Sequence, residues 1–310
     1  MGELSGFSYD GLCGSLFLYK TAHNCYIVIN VNGITWSYWY FRHVRLGQNR
    51  EAKTYMKIAR CIYQGKEIVG KVEDGVLIPM TGDLFGEHSF KGQPLPMAGM
   101  VFLPPTSPSK ILAAGLNYRD HAEEMGIPIP KWPNVFIKPN SALTGHNRPV
   151  YLPAKFANRV DYEAELVVVI GKTARHVSVD RALDYVLGYT CGNDVTARNM
   201  QSPDSQWSLC KGFDTFAPLG PWIETELDPG GLDVKMIVNN EIRQHTNTNN
   251  LIFDVPYLVS YLSDVMTLLP GDVIFTGTSS GIGPVYDGDI MEVRINGIGA
   301  LVNRLEQEAF

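Results

Sequence analysis

Three carboxylates, Asp161, Glu163 and Glu165, stand at every second position of "NRVDYEAELVVVIGK" (158–172). The segment reads as a strand, and strand side chains alternate between two faces. Tyr162, Ala164, Leu166, Val168 and Ile170 suit a core on one face. Asp161, Glu163 and Glu165, then Val167 and Val169, take the other. Parallel carboxylates at the mouth of a buried strand repel one another unless a cation sits between them. A solvated acidic edge is the competing explanation. Asp194, at the end of the apolar strand in "CGNDVTARNMQ", is the best candidate for a third ligand beside Glu163 and Glu165. An all-oxygen set suits Mg2+, Mn2+ or Ca2+. The lack of paired Cys and His ligands disfavours zinc.

A second constellation is "NYRDHAEEM", which reads as a short helix. His121 and Glu124 are three apart and share a helical face, whereas Glu123 points away from the ring. A carboxylate accepting from one imidazole nitrogen fixes the tautomer and raises the basicity of the other, which suits general-base work. A plain polar helix surface is the alternative, with Arg119, Asp120 and Glu123 as neighbours. Lys211 lies in the apolar "CKGFDTFAPLGPW", so its ammonium needs an anionic partner, either a ligand or a structural carboxylate. Arg198 follows Asp194, and Gln201 lies one helical turn beyond it. In "TGTSSGIG" (276–283) small residues let a backbone approach a ligand, and hydroxyl and N–H groups can hold a carboxylate. No helix follows this loop, so neither a P-loop nor a dinucleotide fingerprint fits.

These residues must be positioned by a largely β scaffold. "KILAAGLN" reads as a buried strand, and the helix after it stops at Gly126. Residues 178–189 read as a helix with Ser178 as N-cap, followed by the strand "GYTCGNDVTA". "VKMIVNNEIRQ" is a hairpin turning at Asn239-Asn240. The longest helical pattern is 251–269, with Pro256 in its first turn and Leu258, Leu262, Val265 and Leu269 on one stripe. "PGDVIFTGTSSGIG", "GDIMEVRING" and "ALVNRLE" supply further strands. Upstream, "MKIARCIYQGKEIVGKVEDGVLIPM" reads as three strands with a hairpin at Gly75. Residues 1–55 are dense in aromatics, with Trp36, Tyr38, Trp39, Tyr40 and Phe41 almost together, and show no sustained period. Many strands and few helices, not strictly alternating, predict a mainly β, α+β architecture rather than a Rossmann fold.

Composition narrows the class further. With 310 residues, 45% hydrophobic, the chain can build one large domain or two modest ones. A formal net charge of -6 argues against a nucleic-acid or acidic-membrane surface. Five cysteines form no CxxC pair and read as reduced thiols of a cytoplasmic protein. No apolar run is long enough for a membrane span, and the N-terminus lacks the pattern of a signal peptide.

Taken in order, "GLNYRDHAEEM", "FIKPNSAL", "VDYEAELVVVIGK", "GNDVTARNMQ", "KGFDTFAPLGPW", "LLPGDVIFTGTSSGIG" and "GDIMEVRINGIG" resemble the fumarylacetoacetate hydrolase family. The resemblance implies a mixed β-sandwich roll behind a small N-terminal β unit, a homodimer, and Mg2+ or Mn2+ as cofactor. Glu163, Glu165 and Asp194 match the family's metal positions, and His121 and Glu124 its catalytic pair. Lys211 matches an active-site position, while Arg198, Gln201, Thr278 and Tyr118 fall with substrate contacts. The domain division it implies is a small β domain at 56–98, a Pro-rich linker at 99–109 and a catalytic domain at 110–310. Met56 looks like the natural start, which makes residues 1–55 an atypical extension. The implied substrates are 2-oxo or 2,4-dioxo acids, cleaved by C–C hydrolysis as in an acylpyruvate. The isomerase or decarboxylase branch, acting on a hydroxyheptadienedioate or on oxaloacetate, is the alternative. A keto-acid-binding protein without turnover is the reading from outside enzymology. Ile127, Ile129 and Trp132 in "MGIPIPKWPN" (125–134) are expected to cover the pocket as a lid.

Overall fold

The computed structural model describes residues 56–153, 155–202 and 206–308, and the backbone of four strands between Asp10 and Tyr40. The chain divides into two compact units, 1–53 and 54–310. In the first, Asp10–Gly11, Gly14–Lys20, Cys25–Val31 and Ile34–Tyr40 form one antiparallel sheet in sequence order. These strands form although the sequence here shows no sustained period. Aromatic and β-branched residues favour strands even where hydrophobic and polar positions do not alternate cleanly. Phe41 and Cys13 lie outside the described residues.

In the second unit, Lys57–Tyr63, Lys66–Glu73 and Val76–Gly82 are the three expected strands. Asp74 and Gly75 both take positive φ, 48° and 79°, as a two-residue hairpin requires. Lys57–Tyr63 also pairs with Ala217–Glu224, so these strands continue a sheet of thirteen. The Pro-rich segment packs onto that sheet: Val101–Phe102 pairs with Lys57–Tyr63, and Pro105, Thr106 and Pro108 are buried.

The middle of the large sheet runs Ile111–Ala114, Val273–Phe275, Ala164–Ile170, Val186–Asn193, Ala217–Glu224. Its pairing is mixed, since Ile111–Ala114 lies parallel to Val273–Phe275 while the other three neighbours are antiparallel. A second sheet of five strands is built on Asp233–Val238, Ile290–Ile295 and Gly299–Gln307. Leu166, Val168 and Ile170 join Met236, Val293 and Leu301 in one core. Val167 and Val169 join Phe275, Leu219 and Ile223 in another. The strand Ala164–Ile170 is therefore buried on both faces, as its sequence predicts. Each such side chain contributes about 1.5–3 kcal/mol of transfer free energy.

Two helical expectations change. Residues 178–189 are a 3-10 helix only over Val179–Tyr185, and Ser178 makes no side-chain cap. From Val186 the chain pairs with Ala164–Ile170, so ladder hydrogen bonds displace the helix. The helix Val255–Val265 has Pro256 in its first turn and Asp254 capping the Tyr257 N–H at 2.9 Å. Leu258 and Leu262 are buried, but the helix stops at Val265, so Val265 and Leu269 remain exposed. Arg119–Met125 is a helix ended by Gly126 at φ 62°, as expected. No helix among the described residues is long and apolar enough to cross a membrane.

Candidate metal centre and active site

The segment 158–172 is not one strand. Val160–Tyr162 pairs with Thr196–Ala197 and Gly283–Val285, whereas Ala164–Ile170 belongs to the large sheet. Glu163 sits at the break between them. Its backbone N–H donates to Asn193 Oδ1 at 2.9 Å, and its carbonyl accepts from the Asp194 N–H at 2.9 Å. The chain thus changes sheets at a point tied directly to the end of Val186–Asn193. That tie brings the carboxylates of Glu163, Glu165 and Asp194 together, with one oxygen from each lying within 4.8 Å of the other two. All three residues are buried. The solvated-edge reading therefore fails.

Cations pack against this cluster. Lys211 Nζ donates to Glu163 Oε2 at 2.8 Å and Asp194 Oδ2 at 2.5 Å, with the Phe136 ring 5.1 Å away. Arg198 donates to Glu163 Oε1 at 2.5 Å, to Asp161 Oδ2 at 2.8 Å and to the Gln201 side-chain oxygen. Asp161 is not one of the converging carboxylates and also accepts from Arg159. It neutralises arginines, leaving Glu163, Glu165 and Asp194 as the converging set.

The environment treats the two glutamates differently. Burial pulls both carboxyls upward. For Glu163, contacts with Lys211 and Arg198 outweigh burial and hold it at about 2. For Glu165, burial is reinforced by the charges of Asp194 and Glu163, and its carboxyl is pushed well above the usual range. Glu165 Oε2 accepts from the Gly277 N–H at 2.6 Å, but its Oε1 is buried with no partner. Gly277 is required there, because it takes φ 99° and an added Cβ would lie 2.7 Å from that of Asn117.

This donor set fits a divalent ion. Ligand oxygens around Mg2+ at 2.0–2.1 Å stand roughly 3–4 Å apart, compatible with the convergence of the three carboxylates. Hard oxygens match Mg2+ and Mn2+. A bound cation would also satisfy the orphaned Oε1 and relieve the repulsion on Glu165.

His121 Nδ1 lies 3.1 Å from Glu124 Oε2, so the pair expected from the spacing forms. Glu124 Oε1 accepts from the Gly281 N–H at 3.1 Å, which fastens the helix to the 276–281 loop. The same loop reaches Glu165 through Gly277. Thr278 spends its hydroxyl within the scaffold, donating to the Ala164 carbonyl at 3.1 Å and accepting from Gln244 at 2.8 Å. Tyr118 is 1% exposed, with no partner for its hydroxyl; burial, then the charges of Glu165 and Asp120, raise its pKa. In the segment expected as a lid, Ile127, Ile129 and Trp132 are exposed, and Trp132 stacks on Tyr261 at 6.4 Å between ring centres.

Residues 110–306 match the family model described as fumarylacetoacetate (FAA) hydrolase, C-terminal. The chain belongs to the fumarylacetoacetate hydrolase family. Residues 56–105 match a second model, described as Rv2993c-like, N-terminal. An uncharacterised protein of Archaeoglobus fulgidus is 53% identical over 214 residues, 69% of this chain and 85% of that one. A mitochondrial oxaloacetate tautomerase of Xenopus laevis is 41% identical over 66% of this chain and 67% of its own. Among solved structures, a 5-carboxymethyl-2-hydroxymuconate delta-isomerase from Mycobacterium smegmatis superposes with TM-score 0.77 at 42% identity. A maleylpyruvate hydrolase from Sphingobium, solved with manganese(II) and pyruvate, superposes with TM-score 0.70 at 32% identity. Each of these two covers 82% of this chain and 100% of the solved chain.

In this family member, sequence reasoning overlooked Lys138. It is fully buried, contacts Asp194 Oδ1 and donates to the Phe216 carbonyl at 2.7 Å. Burial lowers its pKa, with Asp194 resisting and Lys211 adding to the shift. The available signal was a lysine ending the apolar run "VFIK" (135–138) just before Pro139. Thr196 was also overlooked, and its hydroxyl donates to Glu163 Oε1 at 3.2 Å and to the Asp194 carbonyl at 2.8 Å.

Proposed function

We propose that the chain is a divalent-metal-dependent enzyme of 2-oxo and 2,4-dioxo acids, hydrolysing a C–C bond of an acylpyruvate-like substrate. The observation that carries this reading is the buried convergence of Glu163, Glu165 and Asp194 with one carboxylate oxygen unpartnered. These three residues would hold Mg2+ or Mn2+. When bound, the ion supplies Lewis-acid polarisation of a 2-oxo carboxylate.

The remaining work falls to the chain's own side chains. Lys211 holds the Glu163 and Asp194 carboxylates in place by a hydrogen bond to each, and offers an ammonium to a developing oxyanion. Arg198 is held by Asp161 and Gln201 and orients Glu163 from the other side. Glu124 faces His121 Nδ1, which fixes the ring so that Nε2 takes a proton from water. The Gly277 N–H in the Thr276–Gly281 loop holds Glu165 by a hydrogen bond to its Oε2. The maleylpyruvate hydrolase with manganese and pyruvate supports both the metal and the substrate class.

A second reading is keto–enol tautomerisation of an oxaloacetate-like acid, in which His121 Nε2 moves a proton at carbon rather than at water. The 41% identity to an oxaloacetate tautomerase favours it. A homodimer belongs to either reading, and a solution mass of one chain would remove it.

The test is to incubate purified protein and Mg2+ or Mn2+ with acylpyruvates, oxaloacetate and the heptadienedioate, and to identify the products. Pyruvate release from an acylpyruvate supports hydrolysis, and enol–keto interconversion without C–C cleavage moves the assignment to tautomerase. In the hydrolytic case His121→Ala should lower kcat by about 1000-fold. Wild-type kcat in that variant would remove His121 from the chemistry.

A further inference from the structure

The helix Arg119–Met125 is short, and Ala122 is the buried residue it contributes. A helix of this length does not hold itself in water. Hydrophobic packing through one alanine fixes it poorly, so polar ties must place His121. Asn117, two residues before the helix, is tied to Phe253 and Thr276, and within the helix there are two ties, one helical turn apart. Glu124 reaches Gly281. Asp120 uses both carboxylate oxygens: Oδ1 accepts from the His121 backbone N–H at 2.9 Å, and Oδ2 accepts from Thr246 Oγ1 at 3.2 Å and Ser280 Oγ at 3.5 Å. Ser280 and Gly281 close the loop whose Gly277 N–H holds Glu165 at 2.6 Å. One short stretch of chain therefore touches the acidic cluster at its start and the His121 helix at its end.

We propose that Asp120 is a positioning residue that sets His121 relative to the acidic cluster. It fastens the first helical turn to Ser280 and to the strand Glu241–Asn247, while its other oxygen holds the His121 main chain. Glu123, between the two ties, makes no such bond and is exposed. The role of Asp120 rests on the reading of His121 as proton carrier. Its mechanical part, the fastening of the helix, does not.

The experiment uses the metal-loaded full chain with the best substrate from the panel above. Asp120→Ala should lower kcat by between about 10- and 100-fold, the scale of a small misplacement of a catalytic group. KM and Mn2+ affinity should stay within about twofold, because Glu163, Glu165 and Asp194 are untouched. Asp120→Asn should recover most of kcat, since an amide oxygen still accepts from the His121 N–H and its NH2 can donate to the hydroxyls. On a His121→Ala background Asp120→Ala should cost nothing further, as expected for groups acting as one unit. Independently of turnover, amide hydrogen exchange in 119–125 should quicken in Asp120→Ala while 164–170 keeps its protection.

Wild-type kcat in Asp120→Ala, a further loss on the His121→Ala background, or a parallel loss of Mn2+ affinity would overturn the proposal. If Asp120→Ala does not fold, Ser280→Ala (kcat lowered) against Asp120→Asn (kcat kept) carries the same comparison. If the wild-type protein turns over no keto acid, the functional reading falls. The exchange measurement then decides the fastening alone, and unchanged exchange would sink it.

Discussion

Asp272 and Glu165 are two carboxylates buried at the ends of neighbouring strands in one sheet, 0% and 1% exposed. Asp272 is saturated. Its Oδ1 accepts from the Ser109 N–H at 2.9 Å, the Ser109 hydroxyl at 2.6 Å and the Lys110 N–H at 3.1 Å. Its Oδ2 accepts from Lys110 Nζ and from the Leu269 N–H at 2.7 Å. Burial would raise its pKa, but the Lys110 and Ser109 bonds win and lower it. Glu165 has one donor, one bare oxygen and two anionic neighbours, and burial raises it. The fold has completed the first carboxylate and left the second unfinished. An orphaned oxygen alone does not mark a site, since Glu224 has one too. Glu165 differs because two further carboxylates converge on the same point.

Two substitutions should separate a completed carboxylate from an unfinished one. Asp272→Ala removes the acceptor for five donors and strands Lys110. It should destabilise the protein by about 3–5 kcal/mol, read as a lower midpoint in urea. Mn2+ affinity of the folded fraction should stay within about twofold. Glu165→Gln should do the reverse, with Mn2+ affinity falling by about 100-fold in calorimetry while the urea midpoint of the metal-free protein holds or rises. A Glu165→Gln protein that binds Mn2+ normally would return Glu165 to the structural class with Asp272.

The unequal roles of these two acids were partly visible in the sequence. Glu163 and Glu165 ahead of an apolar run suggested a cation, because strand periodicity is a local property that side chains carry with them. The His121–Glu124 spacing is equally local, and the pair forms. The split of the strand at Glu163 was not visible, because two sheets compete for one segment and only tertiary pairing decides. The same competition turned 186–189 from helix to strand. Lys138 is harder to read, because its partner, Asp194, lies 56 residues away in sequence. Asp272 gave no signal at all: "PGDV" reads as a turn, and its donors come from Ser109 and Lys110 across the sheet.

The smallest expected effect is in the pH dependence, where the two acids should slope in opposite directions. Asp272 has a folded pKa below its unfolded value of about 3.9. As pH falls the unfolded chain takes the proton first, so its contribution is complete above that value and fades below it. The stability gap between wild type and Asp272→Asn should be flat from pH 7 to 5 and narrow below about 4. Glu165 has a raised folded pKa, so the metal-free folded protein takes that proton first and gains stability as pH falls toward it. Glu165→Gln should therefore be more stable than wild type at the alkaline end, with the difference shrinking as pH drops. Urea denaturation of the three proteins in chelator, from pH 8 to 3, reads both slopes. Parallel slopes would mean that the two carboxylates share one environment, and the distinction between anchor and ligand would have to be abandoned.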